Sequence, residues 1–171
     1  MTADNTQILP AYEKPVHPFT FVVRTGLFVG FLDIATAFVD AYVSYGSTPI
    51  QVFQYIASGV FGKAAFSGGL LMAVWGCVFH FLIATSWTSL FFVAYRKLSF
   101  LSKNRIVVGI LFGLFIWLAM NLVVLPLANT PKPPFHLTRA IKGACILVVM
   151  IGLPVSFMVH NYHSRKRVSK V

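Results

Sequence analysis

The sequence predicts an all-α integral membrane protein, a four-helix bundle with a short amphipathic or re-entrant helix between the first and second spans. Of the 171 residues, 57% are hydrophobic and 11% are charged, and the mean hydropathy is +0.78. Ordinary soluble domains have roughly a quarter of their residues charged. Four apolar segments reach the length of about 20 residues that a helix needs to cross a bilayer. The length fits one domain.

The predicted membrane domain covers residues 21–162, with spans at about 21–43, 68–95, 106–127 and 137–162. Residues 1–20 form a polar cytoplasmic tail. We expect no secretory signal in this tail, because Asp4 and Glu13 lie where the basic residues of a signal belong. Residues 163–171 form a basic cytoplasmic tail.

The first span is the segment around which the others are organised, since it carries two of the four acidic residues. At 100° per residue, one helix face collects the small and acidic residues. These are Gly26, Gly30, Asp33, Ala37, Asp40 and Ser44. A carboxylate that faces lipid is too costly, so this face should meet protein or water. The Gly26 and Gly30 pair is a GxxxG motif, which permits close helix approach.

The segment after the first span predicts a short helix that begins at Thr48 as N-cap and Pro49 as first helical residue. At about ten residues it is too short to cross a bilayer. Its apolar side consists of Ile50, Phe53, Ile56, Ala57 and Val60, and its polar side of Gln51, Gln54 and Ser58. We expect it to lie on the membrane or dip into the bundle, and to break at Gly59 and Gly62.

The remaining spans also carry packing and polar residues. In the second span, a stripe of small residues includes a histidine: Gly69, Ala73, Gly76, His80 and Ala84. The third span has a second GxxxG motif, Gly109 and Gly113, and one amide, Asn121. The fourth span begins with Arg139 and Lys142.

The distribution of lysine and arginine predicts the orientation. Ten of these residues lie in the two tails, at the membrane edge of span one and in the loop between spans two and three, and four lie on the other side. Basic residues are enriched on the cytoplasmic side. We therefore expect both termini in the cytoplasm. Anionic lipid at the cytoplasmic face is the expected partner.

The polar residues inside the membrane form two predicted layers. Asp33 and His80 fall near the midplane, at about 1.5 Å of rise per residue. Asp40, Asn121, Arg139 and Lys142 lie nearer the outer face, where Lys63 can join them. The midplane pair is either a proton relay or a contact that holds helices together. The outer layer is either an ion-pair cluster or a polar cavity open to the periplasm.

Several function classes lack support in the sequence. No HExxH, GxSxG, CxxC or phosphate-binding glycine motif is present, so we expect no enzyme, no metal and no cofactor. His80 has no second midplane histidine with which to hold a haem. The net charge is +10, but the basic residues flank apolar runs instead of forming a patch within a soluble fold. This arrangement argues against binding to nucleic acid. Cys77 and Cys145 lie in apolar runs and are predicted to be buried.

Three segments carry a resemblance. They are QYIASGVFGKAAFSGG (Gln54 to Gly69), HFLIATSW (His80 to Trp87) and MNLVVLPL (Met120 to Leu127). They resemble small uncharacterised bacterial four-helix inner-membrane proteins, and the order of elements is distantly similar to the YagU-like proteins. The resemblance implies an inner-membrane location and four helices, and it implies no activity.

Two functions are compatible with the sequence. The first is a non-enzymatic, structural or assembly role in the membrane, as a homo-oligomer or a subunit of a membrane complex. The alternative is a small oligomeric transporter or channel for protons, ions or small anions, with Asp33 and His80 as its polar centre. A third, a membrane enzyme that acts on lipid or quinone, needs a substrate-sized groove beside His80.

Overall fold

The computed structural model describes residues 17–132 and 136–168, and within these ranges it contains helices and no strand. Helix α1 is Pro18–Tyr45, α2 is Pro49–Phe61 and α3 is Gly69–Lys97. Helix α4 consists of Arg105–Ala119, a π-helical turn at Met120–Val124, and Leu125–Leu127. Helix α5 consists of Leu137–Leu147, a π-helical turn at Val148–Gly152, and Leu153–Val168. Short 3₁₀ helices, Gly62–Phe66 and Ser99–Ser102, precede α3 and α4.

Four of these helices are long and apolar enough to cross a membrane. They are Pro18–Tyr45, Gly69–Lys97, Arg105–Leu127 and Leu137–Ser164. The predictions of an all-helical fold and of four helices of spanning length are therefore confirmed. Helix α1 begins within the segment predicted as the first tail, and α5 continues to Val168, within the predicted basic tail. The rest of both tails, residues 1–16 and 169–171, lies outside the described residues.

Local sequence explains where α2 begins and ends. The Thr48 hydroxyl accepts a hydrogen bond from the Gln51 backbone N–H, and the Gln51 side chain accepts one from the Thr48 N–H at 2.8 Å. This reciprocal capping box starts the helix at the predicted position, with Thr48 as N-cap and Pro49 as first residue. Gly62 ends the helix with a φ of 61°, as predicted. The prediction that Gly59 breaks it is wrong, because Gly59 lies within α2.

Glycines bring the helices into close contact. A Cβ atom at Gly26 would lie 2.7 Å from the Cα of Thr85 on α3, and one at Gly30 would lie 3.0 Å from the Cβ of Ala84. On α4, Gly109 and Gly113 pack in the same way against Leu153 and Val148 of α5. Both GxxxG faces are thus covered within the chain.

The small-residue stripe of α3 has two roles. Ala73 is buried, and the backbone of Gly76 lies so close to the carbonyl of Phe53 on α2 that no side chain fits between them. Gly69, in contrast, has a φ of 57°, and a Cβ atom added to it would have no neighbour within 4 Å. It therefore serves as the turn into α3 instead of a packing contact.

The hydrophobic core lies in one half of the bundle. We call the end where α1 begins and α5 ends the terminal end, and the end with α2 and the α4–α5 loop the loop end. Buried core residues from all four long helices lie toward the terminal end: Val22, Val29, Phe91, Phe92, Phe112, Ile116, Val155 and Val159. The stacked rings of Phe21 and Tyr162, with centroids 4.2 Å apart, extend this core. The other half is less tightly filled, and the cavity lies there.

Helix α2 buries Gln54 and Ser58 of its predicted polar side, together with Ala57 of its predicted apolar side. Gln54 is 7% exposed and Ser58 is 0% exposed, whereas the apolar Ile50 and Val60 are 47% and 58% exposed. The Gln54 amide donates a hydrogen bond of 3.0 Å to the carbonyl of Gly69. Burial therefore does not follow the two predicted sides, since Gln51 of the polar side is exposed and Ala57 of the apolar side is buried.

Candidate functional site

A cavity of about 690 Å³ opens at the loop end between α1, α4 and α5. It continues into a second cavity of about 720 Å³ beneath α2, and the two share several residues of α1, α2 and the α4–α5 loop. The charged, polar and aromatic residues that line the first cavity include Asp33, Asp40, Tyr45, Tyr55, Trp117, Asn121, Lys132, His136 and Arg139. We refer to the two together as the cleft.

Asp33 lies at the inner end of the cleft. It is the lining residue of α1 that lies farthest from the loop end, about 10 Å along the helix from Asp40 at ~1.5 Å per residue. Neither carboxylate oxygen of Asp33 has a hydrogen-bond or ion-pair partner among the described residues. An ionisable group in this state, inside a span of a membrane protein, is a candidate for binding a solute or an ion.

His80 has a different environment from Asp33. Its Nε2 lies 2.9 Å from the backbone carbonyl oxygen of Gly30. Because a carbonyl can only accept, Nε2 carries the proton and donates it. The ring also meets Phe81 edge to face, and His80 is not among the residues that line the cleft. His80 is close enough to Asp33 to interact with it electrostatically, but its hydrogen bond joins α3 to α1.

Asp40 forms an ion pair with Lys142 that joins α1 to α5. The Ser44 hydroxyl donates to Asp40 at 3.3 Å, and the Lys142 ammonium donates to the Ser44 oxygen at 3.5 Å. The side chains of Lys142 and Asp40 are 49% and 33% exposed. Two of the predicted outer-layer residues are thus in direct contact, and the charge of Asp40 is compensated.

The other predicted outer-layer residues contact their own surroundings. Asn121 donates to the carbonyl of Trp117, one turn earlier in α4, at 2.8 Å. Arg139 lies over the ring of Tyr45, 5.5 Å from its centroid. Both line the same cavity as Asp33 and Asp40, so four of the six predicted polar-core residues border one space. Lys63 lies in the 3₁₀ helix after α2 and does not line the cleft.

Hydrogen bonds join α2 to the α4–α5 loop, and the two segments together form the roof of the cleft. The backbone N–H of Asn129 donates to the carbonyl of Gly59 at 3.0 Å, and the Ser58 and Thr130 hydroxyls are 3.3 Å apart. The Tyr55 hydroxyl donates to the carbonyl of Pro131 at 3.3 Å. Burial, with a smaller contribution from Tyr45, raises the pKa of the Tyr55 phenol above its ordinary value. The phenol is therefore a neutral hydrogen-bond donor at physiological pH.

Sequence reasoning missed several lining residues. Trp117 lies one turn before Asn121 on the same face of α4, and this spacing could have identified it. Tyr55, Lys132 and His136 reach the cleft through the docking of α2 and the loop, for which the sequence contains no periodic signal. The expectation that both cysteines are buried is wrong, because Cys145 is exposed.

The carboxyl groups of the described lining are those of Asp33 and Asp40, and its one imidazole is that of His136. No group of three or more His, Cys, Asp or Glu side chains in residues 17–132 and 136–168 is placed to hold a metal ion. The arrangement instead provides the Asp33 carboxyl group, which has no hydrogen-bond or ion-pair partner among the described residues, together with aromatic walls and cations near the opening.

Comparisons with known proteins add nothing to this geometry. No protein-family profile matches the chain, and no curated protein and no solved structure matches it. The likeness to YagU-like proteins therefore stays a prediction.

Proposed function

We propose that this multi-pass membrane protein is a small transporter or channel that takes up a solute or ion through the cleft, with Asp33 as its binding charge. The observation that carries this proposal is the Asp33 carboxylate, which has no partner among the described residues and lines a cavity that opens at the loop end. A carboxylate kept without a partner inside a spanning helix lowers stability, which a binding role would explain.

The membrane placement is part of the same proposal. The excess of basic residues at the terminal end supports cytoplasmic termini and a cleft on the opposite side of the membrane. The resemblance of three segments to bacterial inner-membrane proteins supports the inner membrane, where that side is the periplasm. The exposed apolar side chains of Ile50 and Val60 on α2 support a position at the level of the lipid, as a re-entrant element. Oligomers or a larger complex would have to form through faces other than the two GxxxG motifs, which pack within the chain.

A structural or assembly role is the second candidate. Its supporting observations are the bond from His80 to Gly30 and the ion pair of Asp40 with Lys142, since each joins two helices. In that case Asp33→Asn would lower stability or assembly and change no flux.

Flux measurements with matched variants separate the two candidates. The full chain is reconstituted in vesicles, and uptake of protons, alkali cations, small anions and organic cations is measured for the parent, Asp33→Asn and Asp40→Asn. We expect uptake of one class to be lost in Asp33→Asn and retained in Asp40→Asn, because Asp40 is already paired with Lys142, whereas Asp33 has no hydrogen-bond or ion-pair partner among the described residues. Uptake that is identical in all three proteins, or absent throughout, contradicts the transport proposal.

A further inference from the structure

We propose that the inner end of the cleft binds an organic ammonium group, held by the Asp33 carboxylate and the indole face of Trp117. This inference rests on the proposed function and names the class of its solute. Asp33 and Trp117 are, on α1 and α4, the lining residues farthest from the loop end. An aromatic face attracts an ammonium ion, and a carboxylate that lines the same cavity supplies an opposite charge.

Charge at the inner end favours a cation. Three basic side chains line or border the cavity. All three lie nearer the opening than Asp33 does, and each contacts another group of the protein. Lys142 pairs with Asp40, Arg139 lies over Tyr45, and Lys132 donates to the carbonyl of Pro126 at 3.1 Å. His80 interacts electrostatically with Asp33, but its Nε2–H donates a hydrogen bond to the carbonyl of Gly30. The Asp33 carboxyl group has no hydrogen-bond or ion-pair partner among the described residues and is available to a bound cation.

The size and lining of the cavity favour an organic cation over a metal ion. A volume of about 690 Å³ is in the range of small-molecule pockets. Calcium requires six to eight oxygen ligands and magnesium a near-octahedral set, and Asp33 is the one uncompensated carboxylate in this lining. The neighbouring wall is apolar, with Ala37, Ile146 and Leu147. Such a wall suits the methyl or methylene groups of an alkylammonium ion.

The packing of Trp117 supports a fixed aromatic surface. Its Nε1 lies beside Gly143 of α5, where an added Cβ would be 3.3 Å away, and its backbone carbonyl accepts the Asn121 amide. Trp117 lies on α4 shortly before the π-helical turn Met120–Val124, a type of irregularity frequent at functional sites.

Fluorescence can test this binding directly. The chain has three tryptophans, so Trp75→Phe with Trp87→Phe leaves Trp117 as the single emitter. This protein, in lipid nanodiscs, is titrated with choline chloride against sodium chloride at constant ionic strength. We expect a saturable change in emission. The neutral isostere 3,3-dimethyl-1-butanol should bind at least about tenfold more weakly, because a desolvated ammonium–aromatic contact is worth that much or more.

Variants assign the binding to the two residues. Asp33→Asn should lose saturable binding, whereas Asp33→Glu and the control Lys63→Gln, at a residue that does not line the cleft, should keep it. Trp117→Phe, followed by calorimetry, should bind choline several-fold more weakly. If Asp33→Asn does not fold, the comparison of choline with its neutral isostere on the parent still decides the question.

The outcomes separate this inference from the proposed function. Equal binding of choline and the isostere, or no binding of choline, overturns the ammonium site. If Asp33-dependent uptake of another solute is then found, the transport proposal stands without the ammonium site. If no Asp33-dependent uptake of any solute is found, the transport proposal fails as well.

Discussion

The Nε2 of His80 donates a hydrogen bond to the backbone carbonyl of Gly30, over 2.9 Å, and so joins the middle of α3 to the middle of α1. Gly30 permits this close approach, since a Cβ atom added to it would lie only 3.0 Å from side-chain atoms of Ala84 and Phe81. Asp33, three residues further along α1, lines the cleft. The two midplane residues that the sequence groups as one pair therefore have separate roles: His80 contacts the backbone of α1, and Asp33 faces a cavity.

Replacement of His80 should lower stability without changing solute binding. His80→Leu removes one interhelical hydrogen bond, which is worth roughly 0.5–2 kcal/mol in membrane proteins. His80→Gln, which keeps an N–H donor, should lose less. Thermal unfolding in detergent and the uptake assay measure the two effects. If His80→Leu abolishes uptake at a temperature where the protein remains folded, His80 belongs to the uptake pathway. The assignment of separate roles to His80 and Asp33 is then wrong.

The ion pair of Asp40 with Lys142 should contribute little and should depend on salt. Both side chains are partly exposed, and exposed pairs typically contribute about 0.2–1 kcal/mol. We expect a double-mutant cycle of Asp40→Asn and Lys142→Met to give a coupling energy in this range, and the coupling should fall at high ionic strength. A coupling energy well above this range that salt does not change would mean that the pair is shielded from water by lipid or by another subunit.

The contact of α2 with α3 depends on a glycine. In Gly76→Ala the new methyl group would collide with the Phe53 carbonyl, and a backbone atom cannot move aside without shifting α2. We expect a loss of about 1–3 kcal/mol in the free energy of unfolding. Gly59→Ala is the matched control, because its Cβ would lie 3.5 Å from the Thr130 hydroxyl, an ordinary contact. Equal unfolding midpoints for the two variants would show that α2 does not pack against α3 in this way.

The sequence predicts the helices well because length and hydropathy decide them. It also predicts the face of α1 that holds Gly26, Gly30, Asp33 and Asp40, because side chains on a helix follow its period. What this face contacts is less predictable. Its first half, with Gly26 and Gly30, packs on α3, and its second half, with Asp33 and Asp40, borders the cleft. Periodicity contains no information about where along a helix its neighbour separates from it.

The orientation of α2 is unpredictable for a related reason. Its two sides are visible in the sequence, but in a membrane protein an apolar side can face either lipid or the core. Gln54 and Ser58 are buried because they find partners at Gly69 and Thr130, which are distant in sequence. Such contacts between a helix and a distant loop depend on tertiary docking, as do those of Tyr55 and Lys132 in the cleft.

The docking of α2 on the α4–α5 loop can be tested by a disulfide. The Ser58 and Thr130 hydroxyl oxygens are 3.3 Å apart, and both residues are buried, so cysteines at these positions should be close enough to bond. With Cys77 and Cys145 replaced by alanine, Ser58→Cys with Thr130→Cys should form an intramolecular disulfide on mild oxidation. Each single-cysteine variant should not. Mass spectrometry and thiol counting measure this.

The same disulfide tests whether α2 controls entry to the cleft. Because Tyr55 of α2 and Pro131 of the loop line both cavities, a covalent bond between the two segments fixes the roof of the cleft. We expect oxidation of the double-cysteine protein to reduce solute uptake several-fold and a reducing agent to restore it, while Asp33 remains intact. If the disulfide fails to form, the contact between Ser58 and Thr130 is wrong. If it forms and uptake is unchanged, α2 is a fixed roof, and the solute enters between α4 and α5 or between α1 and α5 without any movement of α2.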